Sequence, residues 1–292
     1  MKKPLIKVGF LVSYDWHLLN NALPLVYPYA DVIYLALDKK RLTWSGNPFE
    51  FDEEAFQAMV KQINTEKKIQ LYEDNFYVEG LKPMQCEVRE RNLLAKAMGE
   101  GGWHIQLDAD EYFIHFADFV KYLHKIPLNQ KEINISVAWI NLFKKTNQGY
   151  LYVITAQPDL IQIATNRPYY EHGRKNGYFN HTAPFYMIHD TWARSEAEIW
   201  QKISNWGHRT DFDTKTYFEF WKSVNETNYH NFKNFHPLRP EAWQSLGYCQ
   251  GKNIHEFIQN FQVPKFPLST WQLFLRNNRN IARLKALWKK IF

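Results

Sequence analysis

A chain of 292 residues with 45% hydrophobic, 17% aromatic and 23% charged residues has the apolar surface for a packed core, which excludes a disordered or collagen-like polymer. The length suits one large domain, or one domain with appendages. The net charge of +6 is a property of the tail: after Glu256 come seven basic residues and no acidic one, which leaves 29 basic against 30 acidic residues in the rest of the chain.

Residues 5–12 and 31–37 are short, β-rich apolar runs separated by a helix-length segment, the beginning of a βαβ unit. The first run is interrupted by Lys7 and closed by Tyr14-Asp15, too short for a membrane span and without a small-residue cleavage site, so a cytoplasmic protein is expected. Cys86 and Cys249 are too few to staple a fold of this size, which fits a reducing compartment. In residues 52–65, Ala55, Phe56, Met59, Val60 and Ile63 recur at helical spacing, and 68–72 reads as a third strand. Residues 84–98 predict an amphipathic helix carrying Arg89, Arg91 and Asn92. After a glycine-rich break, 103–107 predicts a fourth strand that runs out at Asp108-Ala109-Asp110-Glu111.

A helix over 116–124 and a strand pair over 132–143 and 150–155 follow, joined by a polar turn, so the order changes from alternating to antiparallel. Ser195 and Glu198 form a capping box that opens a further helix. Residues 209–240 read as aromatic, polar loop.

In extended chain, residues i and i+2 point the same way, so Asp108 and Asp110 present two carboxylates on one side of the strand end. Two such groups repel each other unless a cation lies between them, and a hard divalent ion with oxygen ligands, Mg2+ or Mn2+, is the natural occupant. Aspartates at this spacing also serve as turn caps.

The run Arg91-Asn92-Leu93-Leu94-Ala95-Lys96-Ala97, followed by Gly102-Trp103-His104-Ile105-Gln106-Leu107-Asp108-Ala109-Asp110-Glu111-Tyr112-Phe113, resembles the core of nucleotide-sugar glycosyltransferases of the GT-A fold, family 2 and related LDxDE-type transferases, over about a third of the chain. The resemblance implies an α/β, Rossmann-like, mostly parallel mixed sheet flanked by helices over residues 1–210. An aromatic, helical C-terminal extension over 211–292 would follow and end in a basic amphipathic helix.

By the same resemblance, Asp108 and Asp110 hold Mn2+ or Mg2+ against the diphosphate of a nucleotide-sugar donor, and His189, after the apolar run 185–188, completes the metal site, with His208 as substitute. Asp38 lies near the nucleobase or ribose, or caps its strand; Arg91 faces the diphosphate or its supporting carboxylates; and Lys175, in a polar basic loop with Arg174, lies near the donor. Asp190 and Glu196 are the candidates to take the acceptor's proton if the reaction inverts. The late acidic pair and the Gln-x-x-Arg-Trp-like segment common in family 2 are not found. The implied activity is metal-dependent sugar transfer to a glycan or lipid-linked acceptor in cell-surface polysaccharide assembly.

Residues 270–292 place Trp271, Phe274, Ile281, Leu284, Trp288 and Ile291 at helical spacing with basic residues around them, a helix that either docks on the domain or lies on an anionic membrane surface. No nucleic-acid module is recognisable, so no nucleic acid is expected as a partner. The rival readings are a nucleic-acid-binding protein using this basic aromatic segment, and a metal-dependent phosphohydrolase, which would need more His and Asp ligands.

Overall fold

The computed structural model describes residues 3–128, 131–205 and 211–291. β1 (Ile6–Val12), α1 (Leu19–Val26), β2 (Val32–Asp38), α2 (Glu53–Ile63), β3 (Ile69–Asp74), α3 (Pro83–Ala97) and β4 (Trp103–Asp108) alternate. β1 pairs in parallel with both β2 and β4, and β3 extends the sheet from β2. Every residue of β1 is buried, as a parallel strand covered on both faces requires. Ile6, Val8, Phe10 and Val12 share one core with α1 and α2, whereas Leu11 packs on the opposite face with Leu94 and Met98 of α3.

Gly9 lies under α3 for a steric reason. A Cβ there would stand 2.8 Å from Leu94 and 2.9 Å from Met98, so only glycine admits the helix this close. Lys7, which interrupts the apolar run, donates from Nζ to the carbonyls of Met98, Gly99 and Glu100. It caps the exit of α3, where a cation is favoured by the helix dipole.

β5 (Glu111–Phe113), α4 (Phe116–His124), β6 (Ile133–Lys145), β7 (Gly149–Ile154), β8 (Asp159–Thr165), β9 (Phe179–His189), α5 (Glu196–Asn205), α6 (Thr214–Ser223), β10 (Ser245–Gln250), α7 (Ile254–Asn260), α8 (Thr270–Arg276) and α9 (Arg279–Ile291) complete the chain. The strand order is β10-β7-β6-β8-β4-β1-β2-β3, with β9 pairing β5 and β6. This mixed α/β sheet flanked by helices is the expected class.

Three details differ from the sequence reading. The expected loop over 209–240 contains α6, whose Trp221 is 1% exposed and whose Asp213 cap accepts from the amides of Lys215 and Thr216. The extension also continues the sheet: β10 pairs antiparallel with β7. A second core of Phe143, Leu151, Trp192 and Ile199 with Trp221, Phe235, Trp243 and Leu246 draws on residues from both sides of position 210.

The third difference is in the tail, where the single expected helix is broken between α8 and α9. Asn277 Oδ1 accepts from the Thr182 amide at 2.8 Å and its Nδ2 donates to the Thr182 carbonyl at 2.9 Å, so the side chain pairs with β9 as a strand residue would. Arg279 donates to the carbonyls of Lys131 and Glu132 and lies over the Phe179 ring. Among the described residues, no helix is long and apolar enough to cross a membrane.

Candidate active site

β2 lies to one side of β1 and β4 to the other, so the chain reverses its direction of winding between β1 and β4. The crevice beyond the carboxyl ends of two such strands is where open α/β sheets bind ligands. Asp15 follows β1, Asp108 ends β4, Asp110 lies in the turn after it and Glu111 opens β5. Glu111 Oε2 accepts from the Asp108 amide at 2.9 Å, and the Asp110 carbonyl accepts from the Asp190 amide at 2.9 Å. The turn is thereby tied to β9, whose His189 stands opposite Glu111.

The two aspartates meet different partners. Asp108 is bound by Arg91 of α3 and by Arg174, each at 3.0 Å. Burial alone would raise its pKa, and the two guanidinium groups outweigh that and lower it. Arg174 also forms a two-pronged pair with Glu111, at 2.9 and 2.7 Å, and Trp139 Nε1 donates to the same carboxylate at 3.1 Å. Burial pushes Glu111 up to about 7 despite Arg174.

Asp110 is bound through Oδ2 by Arg194 at 2.5 Å and by Lys202 of α5 at 3.1 Å. Burial opposes its ionisation, yet Lys202, His189 and Arg194 together hold its carboxyl well below the usual range. Arg194 reaches Asp15 at 3.0 Å with its other terminal nitrogen. One guanidinium therefore bridges the ends of β1 and β4.

His189 faces Asp110 with Nε2 at 3.8 Å from Oδ2. Its tautomer follows from the network behind it. Asn141, in register with His189 across the parallel β6 and β9 pair, donates from Nδ2 to Asp159 at 3.2 Å, which turns its Oδ1 toward the imidazole. Nδ1 of His189 lies 3.0 Å from that oxygen and carries the proton. Nε2 therefore presents a lone pair to a carboxylate oxygen. Burial lowers the imidazole to about 4, and the ring stacks on Trp139 at 4.3 Å. Two lone-pair donors facing each other, one oriented from behind by an amide, suit a divalent cation. His189 Nε2 and Asp110 could hold such an ion, and since Arg194 and Lys202 already bind Asp110 Oδ2, the carboxylate would offer it Oδ1. Asp108 fits less well, since both its oxygens are held by arginine. No group of three His, Cys, Asp or Glu side chains converges as a metal cluster among the described residues.

Of the residues singled out from sequence, Asp108, Asp110, His189, Arg91 and Asp190 are brought to this crevice. Asp190 is buried, with Tyr112 donating to Oδ2 at 3.2 Å and Oδ1 left without a partner. Burial raises its pKa to about 6. Asp38 acts as a loop cap: its oxygens accept from the amides of Lys40, Leu42, Phe76 and Tyr77. Lys175 is exposed, while its neighbour Arg174 is one of the buried cations of the site, with Arg91 and Arg194. Glu196 is exposed in the first turn of α5, where its charge acts on Lys144 rather than on the aspartates. His208 lies outside the described residues. Arg194, Lys202, Trp139 and Asn141 are the members that motif reading did not assign. A polar Asn141 inside the apolar run 137–143, and Lys202 following His189 and the Ser195–Glu198 box in a pattern similar to the His, Ser-x-x-Glu, Lys segment of LDxDE-type transferases, were the signals available for them.

No protein-family model matches the chain, and no curated protein does. Among solved structures it is similar to GalNAc-T7 with UDP, GalNAc and Mn2+, with TM-score 0.39 and 12% identity over 77% of this chain and 52% of that one. It is similar to S. aureus TarS 1-349 with TM-score 0.35 and 13% identity, covering 68% and 63% of the two chains. UDP-glucose pyrophosphorylase complexed with UDP-glucose aligns with TM-score 0.30 and 12% identity, over 87% of this chain and 96% of that one. The chain thus spans about half the length of the GalNAc-T7 chain.

Proposed function

We propose that this crevice transfers a sugar from a nucleoside-diphosphate donor to a glycan or lipid-linked acceptor, with a divalent cation, Mn2+ or Mg2+, at Asp110 and His189. The observation that carries the reading is His189, whose Nε2 lies 3.8 Å from Asp110 Oδ2 while its Nδ1 lies 3.0 Å from Asn141 Oδ1, in the crevice between β1 and β4. The resemblance of residues 91–113 to GT-A transferases supplies the substrate class.

When bound, such a cation neutralises the charge that develops on a departing diphosphate. The chain's own residues prepare the place. Arg194 and Lys202 hold Asp110 ionised, and Asn141 and Trp139 fix the imidazole plane. Arg91 and Arg174 orient Asp108, whose side chain is 33% exposed and so available to the donor. Arg91 Nη1 and Arg174 Nε are buried without partners, two spare donors beside the same carboxylate. Lys175, exposed next to Arg174, is proposed to approach the diphosphate from solvent. Of the two carboxylates considered for the acceptor's proton, Asp190 is preferred for an inverting reaction, because its backbone is tied to Asp110 at the crevice and burial raises its carboxyl to about 6, whereas Glu196 is exposed on α5.

The test is thermal unfolding with UDP, GDP, CDP and dTDP, each with and without Mn2+. One nucleotide should raise the midpoint only with the cation, and Asp110→Asn and His189→Leu should abolish the shift. Stabilisation by single-stranded nucleic acid alone, or phosphate release with no acceptor present, would overturn the reading.

A further inference from the structure

We propose that the segment formed by α8 and α9 seats the protein on an anionic lipid bilayer. The proposal rests on the tail alone and stands or falls independently of the chemistry of the crevice.

Trp271, Phe274, Leu284 and Trp288 are 54–66% exposed, the largest exposures among the large apolar side chains described. Trp271 and Phe274 stack on each other at 5.4 Å and form a continuous aromatic surface. The segment that carries them is anchored on its other side. Asn277 pairs with the backbone of Thr182, and Arg279 binds the carbonyls of Lys131 and Glu132. Helices held to their domain by polar contacts, with Trp271, Phe274 and Leu284 each more than half exposed, present an apolar surface that an apolar phase would cover.

Charge selects the occupant. Besides the anchoring Arg279, α8 and α9 carry Arg276, Arg283, Lys285, Lys289 and Lys290, Lys265 precedes them, and no acidic residue follows Glu256. A second copy of the chain would bring like charges together, and the nearly neutral remainder offers no acidic excess to oppose them. A bilayer containing anionic lipid supplies both a negative surface for the cations and an interface in which tryptophan is favoured. A single-stranded nucleic acid would satisfy the charges and the tryptophans, yet it would gain nothing from Leu284.

The full-length protein is floated with phosphatidylcholine vesicles, with and without phosphatidylglycerol, at low and high salt. The expected result is flotation only with phosphatidylglycerol, weakened by salt. Arg276→Gln and Arg283→Gln should each lower the partition coefficient about fivefold, and Trp271→Ser and Leu284→Ser should each lower it about tenfold. Unchanged thermal midpoints would show that these surface variants fold. Flotation with neither vesicle type, flotation indifferent to phosphatidylglycerol, or retention of full binding by Trp271→Ser and Leu284→Ser together would overturn the proposal. So would displacement of the bound protein from vesicles by an oligonucleotide that binds those two variants as tightly as the unaltered chain.

Discussion

Asn141 accepts the Nδ1 proton of His189 at 3.0 Å, and this contact decides which face of the imidazole carries a lone pair. Replacing Asn141 by Leu keeps a similar volume and removes the acceptor, which frees the ring to protonate Nε2 instead. Mn2+ affinity, measured by titration calorimetry, should fall about 10- to 100-fold, in line with the loss of an orienting partner behind a histidine ligand. An unchanged affinity would mean that His189 does not face a metal.

Arg194 is the only cation that touches both Asp15 and Asp110 among the described residues, and its side chain is 2% exposed. Arg194→Met should destabilise the fold by about 3 kcal/mol in denaturant unfolding, because buried Asp110 and half-buried Asp15 lose their common partner. Adding Asp110→Asn should recover part of that loss, and a double-mutant cycle measures how much. Additive effects would show that the bridge carries no coupling.

Glu90 is buried in α3 with one hydrogen bond, accepted from Trp44 Nε1 at 2.6 Å, and burial raises its pKa to about 8. The folded state therefore keeps a proton that the unfolded chain releases near its ordinary pKa of 4.5. The associated stability is fully present below that value and is lost as pH rises toward 8. Glu90→Gln, which cannot ionise, should gain on the unaltered protein by at least about 1 kcal/mol between pH 5 and pH 8, or about 2 °C in midpoint. A stability difference that does not change with pH would show that Glu90 is not buried as a neutral acid.

Asp38 can be tested for the role in which it is found. Its two oxygens accept from four backbone amides of the loops after β2 and β3. Asp38→Asn turns an amino group toward two of those donors, and should cost about 3 kcal/mol of stability. Nucleotide affinity of the folded variant should stay within about threefold of the unaltered chain, whereas a direct ribose contact would lose more than tenfold.

β1, β2 and β4 were legible because they are largely buried and so read as mostly apolar runs, with Asp-x-Asp at the end of β4 where the sheet opens, whereas β3 is a half-exposed edge strand read from its place in the alternation. β9 was not legible over its length. Its first half, Phe179-Asn180-His181-Thr182, is polar because Asn180 bonds Ser136 and His181 contacts Tyr122 and Asn277, partners distant in sequence. The choice between Arg174 and Lys175 was equally hidden. Both are basic and adjacent, and only the turn closed by the His172 and Lys175 backbones puts Arg174 inside and Lys175 outside. α6 was missed because its aromatic residues have the helical period but sit among polar neighbours that read as loop.

The pairing of Asn277 with Thr182 also acts as a ruler. It fixes α8 and α9 beside the first half of β9, while His189 ends the strand seven residues further on, about 20 Å away at the rise of an extended chain. On a bilayer bound by those helices, the crevice stands off from the lipid surface by a distance set within the fold. With β9 upright on such a bilayer, an acceptor whose hydrocarbon end stays in the membrane would need a polar stretch of about that length to bring its hydroxyl to the crevice.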